Sequence, residues 1–222
     1  MADTDASLPK DLYQDDGYRL TTVACVFSVL CIIVVAARFY ATRLKKAQIG
    51  PDEWMCIPAL VACLALNANC IAFVEVGGAG RHVQTITDPE VLVRWGKCLY
   101  SQIILYSFAI ALPKLAILLF YLRIFPNSRF KMAVYILGFM VLGWGFGVIF
   151  SSIFQCSPIS YAWTMSPTGH CINLLAFYRW VSLPNLLADV VMVLLPVNMV
   201  WKLQMTVRQN LALSGVFLMG GM

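Results

Sequence analysis

Five apolar stretches of about twenty residues each dominate this sequence of 222 residues. A helix rises about 1.5 Å per residue, so roughly 20 apolar residues cross the ~30 Å hydrocarbon core of a bilayer. The chain is 60% hydrophobic and 12% charged, whereas soluble domains carry about 25% charged residues. The sequence therefore predicts an all-α, polytopic transmembrane helical bundle. The predicted spans are about 20–42, 54–75, 98–122, 132–154 and 176–201, followed by an incomplete sixth span, 211–222.

The distribution of Lys and Arg predicts how these spans are oriented. Residues 1–19 form an acidic tail that lacks the positive start of a signal peptide. Nine Lys and Arg lie in the loops after the first, third and fifth spans or near the adjoining span ends, and six lie in the tail, in the remaining loops or near their span ends. Because cytoplasmic loops are enriched in Lys and Arg, we expect the amino terminus to be extracellular. The plasma membrane is the expected location.

Two cysteines, Cys156 and Cys171, fall within one predicted outer loop. Cysteines on the outer face meet an oxidising compartment, where disulfides persist. A bridge between them would close a loop of about fifteen residues and stabilise the fold by ~3 kcal/mol on the chain-entropy model. The alternatives are a pairing that uses Cys98, at the outer end of the third span, and free thiols.

Two charged residues lie in the interior of predicted spans, away from the charges near the span ends: Lys114 in the third and Asp189 in the fifth. A charge in the membrane usually faces a partner or a cavity. The helical rise places Lys114 ~12 Å and Asp189 ~18 Å from the inner ends of their helices. A lysine side chain is long enough to cover much of the difference between these two depths, so we predict an intramembrane ion pair between Lys114 and Asp189. The alternative is that Lys114 snorkels to the inner interface and Asp189 is protonated.

Two further places are candidate contact sites. Arg123 ends the third span, where it would contact a cytoplasmic partner or act as an interfacial anchor. Arg81 and His82 end a glycine-rich outer turn, where they would contact a ligand or belong to a plain loop. That turn is not a phosphate-binding loop, because no strand precedes it and no Lys-Ser/Thr follows it.

The sequence favours neither catalysis nor nucleic-acid binding. Both histidines, His82 and His170, lie in predicted loops, which excludes a transmembrane bis-histidine haem. Asp189 is the single carboxylate in the interior of a span, so a paired-aspartate protease is not supported. No zinc-site pattern occurs, and the basic residues are spread over short loops. We therefore expect no enzymatic activity, no cofactor, no metal and no nucleic-acid partner.

Five motifs, taken in order, resemble the fungal rhodopsin-like integral membrane protein family. Members of that family include a satratoxin-cluster membrane protein and receptor-like proteins of plant-infecting fungi. The family usually has Ser where Ala116 stands. The matching residues are Gly50–Trp54, Gly78–His82, Lys114–Phe125, then Phe154–Pro158 with Trp163 and Gly169–Cys171, and finally Asp189 with Pro196 and Trp201–Met205.

The resemblance implies a seven-helix, receptor-like bundle with an outer disulfide, truncated here in helix six. It also implies a function, which we state as a G-protein-coupled-receptor-like sensor of an extracellular cue. The expected partners are the lipid bilayer, an extracellular ligand and a heterotrimeric G protein. The alternative is a membrane transporter or an accessory protein of a secondary-metabolite pathway. The sequence shows no repeat of the kind that transporters tend to carry, which counts against transport.

Overall fold

The structure, a computed structural model, describes residues 17–44, 50–80, 89–164 and 169–202. Most of the acidic tail, the candidate contact residues Arg81 and His82, and the predicted sixth span all lie outside these residues. The described elements are α1 (Gly17–Leu44), α2 (Pro51–Glu75), α3 (Pro89–Ile124), α4 (Ser128–Ile153), β1 (Cys156–Ser157), α5 (Tyr161–Thr164), β2 (His170–Cys171) and α6 (Leu174–Lys202).

Five of these helices are long and apolar enough to cross a membrane: α1, α2, α3, α4 and α6. The strands among the described residues form a single antiparallel ladder of two residues each. These observations confirm the predicted all-α, polytopic fold. Many large apolar side chains on the helices are exposed. Such exposure suits a helix in a bilayer, where lipid tails are as apolar as the side chains themselves.

Helix α3 is longer than its apolar run. The predicted span begins at residue 98, because Arg94 and Lys97 precede it, yet the helix begins at Pro89. Proline suits the first position of a helix, where its missing N–H has no intrahelical partner to lose. Arg94 then donates to the Glu90 carboxylate one turn earlier, at 2.9 Å. The helix therefore continues past the two charges that limit the apolar run.

The chain divides into two compact units. The first unit comprises residues 1–116 and 145–172, and so includes α1, α2, most of α3, the end of α4 and the strand ladder. The second unit comprises residues 117–144 and 173–222, and so includes the turn between α3 and α4 together with α6.

The core of the second unit surrounds the α3–α4 turn. The rings of Phe125 and Phe130, on either side of the turn, lie 4.6 Å apart between centroids. The Tyr121 hydroxyl donates to the Met192 carbonyl at 3.3 Å, which ties α3 to α6. The residues buried in this core are Leu118, Tyr121, Phe125, Phe130, Val134, Leu137 and Met192.

Candidate functional site

Cys156 and Cys171 are joined by a disulfide. They lie directly opposite each other in the β1–β2 ladder, with Cα atoms 4.0 Å apart. Cys98, the alternative partner, is a free cysteine. The predicted disulfide is therefore confirmed. We call the segment from Cys156 to Cys171 the cysteine hairpin.

The cysteine hairpin packs against α3 through its short helix, α5. The rings of Tyr100 and Trp163 meet almost edge to face, with centroids 5.6 Å apart and planes at 77°. Gly96 allows this approach, since a Cβ atom there would lie 2.8 Å from the Trp163 Cα and 3.0 Å from the Ala162 carbonyl oxygen. Backbone atoms cannot move aside cheaply, so a larger residue at position 96 would separate the hairpin from the helix.

A group of polar side chains joins α2 to α3 next to the place where the hairpin packs. The Asn69 amide donates to the Gln102 carbonyl oxygen at 2.5 Å and to the Cys98 main-chain carbonyl at 3.2 Å. The Ser101 hydroxyl donates to Asn69 Oδ1 at 2.9 Å. Gln102 also donates to the Cys70 sulfur at 3.0 Å. We call Asn69, Cys70, Cys98, Ser101 and Gln102 the polar layer.

Sequence reasoning missed the polar layer, although a signal for it was present. Asn67, Asn69 and Gln102 interrupt apolar runs, and an amide in lipid needs a hydrogen-bond partner. Asn67 finds its partner on α1, where its amide donates to the Ser28 hydroxyl at 3.0 Å. The first three helices of the first unit are thus linked by side-chain amides within their predicted spans.

Gln155 lies immediately before the cysteine hairpin and carries an unsatisfied acceptor. The residue is 6% exposed, and its side-chain Oε1 is buried without a hydrogen-bond partner. Its main-chain carbonyl accepts from the Ile172 N–H at 2.9 Å, which attaches the base of the hairpin to the chain that follows it. Most buried polar groups in proteins are hydrogen-bonded, so the unsatisfied Oε1 requires an explanation.

A second polar cluster joins the end of α1 to the beginning of α2. Arg38 donates to the Asp52 carboxylate, and the Thr42 hydroxyl donates to Glu53 Oε1 at 3.2 Å. The Gly50 N–H also donates to the Glu53 carboxylate. Both acids are buried. We call these residues the α1–α2 clamp. Sequence reasoning treated its charges only as loop charges and as part of the Gly50–Trp54 motif.

The remaining predicted site residues belong to α3 and α6. Lys114 is buried in the part of α3 that belongs to the first unit, and Asp189 is half-buried in α6, in the second unit. Their ion pair stays a prediction. Arg123 is exposed in the last turn of α3, and its coupling role stays a prediction as well. Among the described residues, no three His, Cys, Asp or Glu lie together in a way that would hold a metal ion.

Comparison with known proteins identifies relatives of this chain. It is 36% identical over 208 residues to the polyenoic acids biosynthesis gene cluster protein Ba17b of Metarhizium anisopliae, which covers 92% of this chain and 57% of that protein. It is 21% identical over 197 residues to Receptor GIN3 of Arthrobotrys oligospora, which covers 89% of this chain and 48% of that protein. It is 25% identical over 118 residues to Satratoxin biosynthesis SC1 cluster protein 4 of Stachybotrys chartarum, which covers 52% and 44% respectively.

The chain spans about half the length of the curated relatives it matches. No solved structure matches it. A family model described as the fungal rhodopsin domain matches residues 37–222. Because that match covers most of the chain and includes both the α1–α2 clamp and the cysteine hairpin, this protein belongs to the fungal rhodopsin domain family.

Proposed function

We propose that this protein is a receptor-like sensor of an extracellular cue. The observation that carries the proposal is the packing of the cysteine hairpin against α3. Trp163 packs on Gly96 and Tyr100, and the polar layer begins within one turn of the same helix. In this proposal the hairpin end of the first unit faces outward at the plasma membrane, and a ligand binds beside the hairpin.

The chemistry of this end suits a small amphipathic ligand. Ligand sites are mostly apolar and aromatic, with a small number of polar groups that orient the ligand. Tyr100 and Trp163 supply aromatic surface, Asn69 and Gln102 supply amides, and Gln155 supplies a buried acceptor without a hydrogen-bond partner. A molecule with a ring and an O–H or N–H donor would complement these groups. No cofactor enters the proposal.

The proposed output is coupling to a heterotrimeric G protein through Arg123. The residue is exposed in the last turn of α3, the same helix that carries Gly96 and Tyr100. A ligand that displaces the hairpin would therefore act directly on the helix whose other end contacts the partner. The relative named Receptor GIN3 supports a receptor role.

A second candidate function is that of an accessory protein or transporter of a secondary-metabolite pathway. The observation that favours it is the naming of two relatives after biosynthesis clusters, one for polyenoic acids and one for satratoxin. In this alternative the hairpin end handles a metabolite as cargo rather than as a signal.

The experiment measures guanine-nucleotide exchange in membranes that contain the protein and a heterotrimeric G protein. Medium conditioned by the source fungus is added, with fresh medium as the baseline. We expect conditioned medium to raise the rate of nucleotide exchange. Gln155→Leu and Arg123→Glu should each abolish this rise. Arg94→Gln, at the end of α3 away from Arg123, should leave the rise unchanged. Absence of exchange together with uptake of a labelled metabolite into proteoliposomes would favour transport. Absence of both would leave the accessory role.

A further inference from the structure

The turn between α3 and α4 carries three cations, Arg123, Arg129 and Lys131, which we call the basic turn. Arg123 and Arg129 are exposed, and Lys131 is half-buried. The sequence contains no Asp or Glu from residue 91 to residue 188. Among the residues that the structure describes, neither Arg129 nor Lys131 forms an ion pair. Among the residues that the structure describes, the positive charges of Arg129 and Lys131 are therefore not balanced by acids of α3 or α4.

The basic turn is held rigidly. Phe125 and Phe130, which bracket it, are both buried and their rings are in contact. The Asn127 side chain accepts from the Arg129 N–H at 3.0 Å. Because the core below it fixes the backbone, a partner that binds the cations need not order the turn first, and such preorganisation strengthens binding.

Apolar side chains continue the surface from the cations into the membrane-spanning part of α4. Met132, Tyr135 and Ile136 are all strongly exposed. Lys131 and Tyr135 are four residues apart, and Arg129 and Met132 are three apart, so each pair shares a face of the helix. A tyrosine at this depth is typical of the membrane–water interface. Along α4, the cations near its amino-terminal end are therefore followed by apolar side chains that are exposed to lipid.

We propose that the basic turn binds an anionic phospholipid. The lipid phosphate contacts Arg129 and Lys131, and an acyl chain lies along Met132 and Ile136. Basic residues at the ends of transmembrane helices attract anionic headgroups, by about 1 kcal/mol per Lys or Arg, which is about fivefold in affinity. An acidic protein segment matches the charge but not the apolar surface, because that surface belongs to the spanning part of α4. A lipid matches both.

The test counts anionic lipids retained by the full chain. The protein is purified from nanodiscs that contain phosphatidylcholine with phosphatidylserine, and bound lipids are counted by native mass spectrometry. We expect Arg129→Gln with Lys131→Gln to weaken retention of one phosphatidylserine by roughly 25-fold, the product of two fivefold factors. The charge-preserving pair Arg129→Lys with Lys131→Arg should retain the lipid.

The matched control removes two exposed cations from the other end of α3, as Arg94→Gln with Lys97→Gln. We expect this control to retain phosphatidylserine as the wild type does. If both neutralised variants lose lipid equally, net charge alone explains retention and the proposed site does not exist. If Arg129→Gln with Lys131→Gln retains lipid but loses nucleotide exchange with a G protein, the basic turn is a protein-docking surface and the lipid proposal is wrong. Melting temperatures of all three variants separate loss of lipid from loss of fold.

Discussion

Arg38, in the last two turns of α1, contacts Asp52, the second residue of α2, through a 2.9 Å bond from Nη2 to Oδ2. Asp52 is 1% exposed, whereas the Arg38 side chain is 28% exposed. Removing a cation from a buried carboxylate costs far more than the loss of a surface ion pair. This contact joins α1 to α2, as do the hydrogen bonds from Thr42 to Glu53 and from Asn67 to Ser28.

We expect Arg38→Ala to lower the free energy of unfolding by about 2–4 kcal/mol, somewhat below the range for fully buried pairs because Arg38 is partly exposed. Arg43→Ala, an exposed cation in the last turn of α1, is the control and should stay within about 0.5 kcal/mol of wild type. Unfolding is followed by tryptophan fluorescence during titration with dodecyl sulfate in mixed micelles. The double variant Arg38→Met with Asp52→Leu should cost less than the two single changes together, and strict additivity would mean that the pair does not interact.

The polar layer predicts a difference between two asparagines on α2. Asn69→Leu removes three hydrogen bonds, to Gln102, Cys98 and Ser101, whereas Asn67→Leu removes one. Side-chain hydrogen bonds within membranes average about 0.6 kcal/mol. We therefore expect Asn69→Leu to cost about 2 kcal/mol and Asn67→Leu about 0.6 kcal/mol in the same titration. Equal losses would show that the layer does not tie α2 to α3.

The disulfide predicts a specific pattern of thiol chemistry. Alkylation without reduction should leave Cys156 and Cys171 unmodified, and Cys98→Ser should not change that result, because Cys98 is a free thiol. Cys156→Ser should lower the free energy of unfolding by about 3 kcal/mol, the value for a loop of about fifteen residues. Mass spectrometry of the alkylated peptides checks the pairing. A bridge that disappears in Cys98→Ser would contradict it.

Two helical glycines predict opposite responses to alanine. At Gly96 a Cβ atom meets the backbone of the cysteine hairpin, and at Gly143 it meets open space. Gly96→Ala should therefore destabilise the protein by about 1–3 kcal/mol, the usual cost of overpacking. Gly143→Ala should be neutral or stabilising by up to about 1 kcal/mol, since alanine has the higher helix propensity. If neither substitution lowers the free energy of unfolding, the cysteine hairpin does not pack against α3 at Gly96.

The helical spans could be read from the sequence because a bilayer imposes a strong local rule. Each crossing segment must satisfy its own backbone hydrogen bonds and present apolar side chains to lipid. The runs around Ala24, Cys63 and Val134 obey that rule without reference to any other part of the chain. The family followed from short motifs, and the fungal rhodopsin domain match confirms it.

The partners of the polar residues could not be read in the same way. Asn69 and Gln102 are 33 residues apart, and nothing in either apolar run specifies that they meet. Arg38 and Asp52 looked like ordinary charges of a cytoplasmic loop. Their burial became evident only when α1 and α2 lay side by side.

The sequence alone determined that this chain crosses a membrane several times, which apolar runs form the crossing helices, and to which family it belongs, since each follows from local composition or local motifs. The tertiary structure decided that Cys156 pairs with Cys171 rather than with Cys98, that Trp163 packs on Gly96, and that Arg38 neutralises Asp52. The physical reason is that such contacts depend on the rotation and the depth of each helix relative to its neighbours. A helix that is apolar on every side carries little periodic information about either quantity.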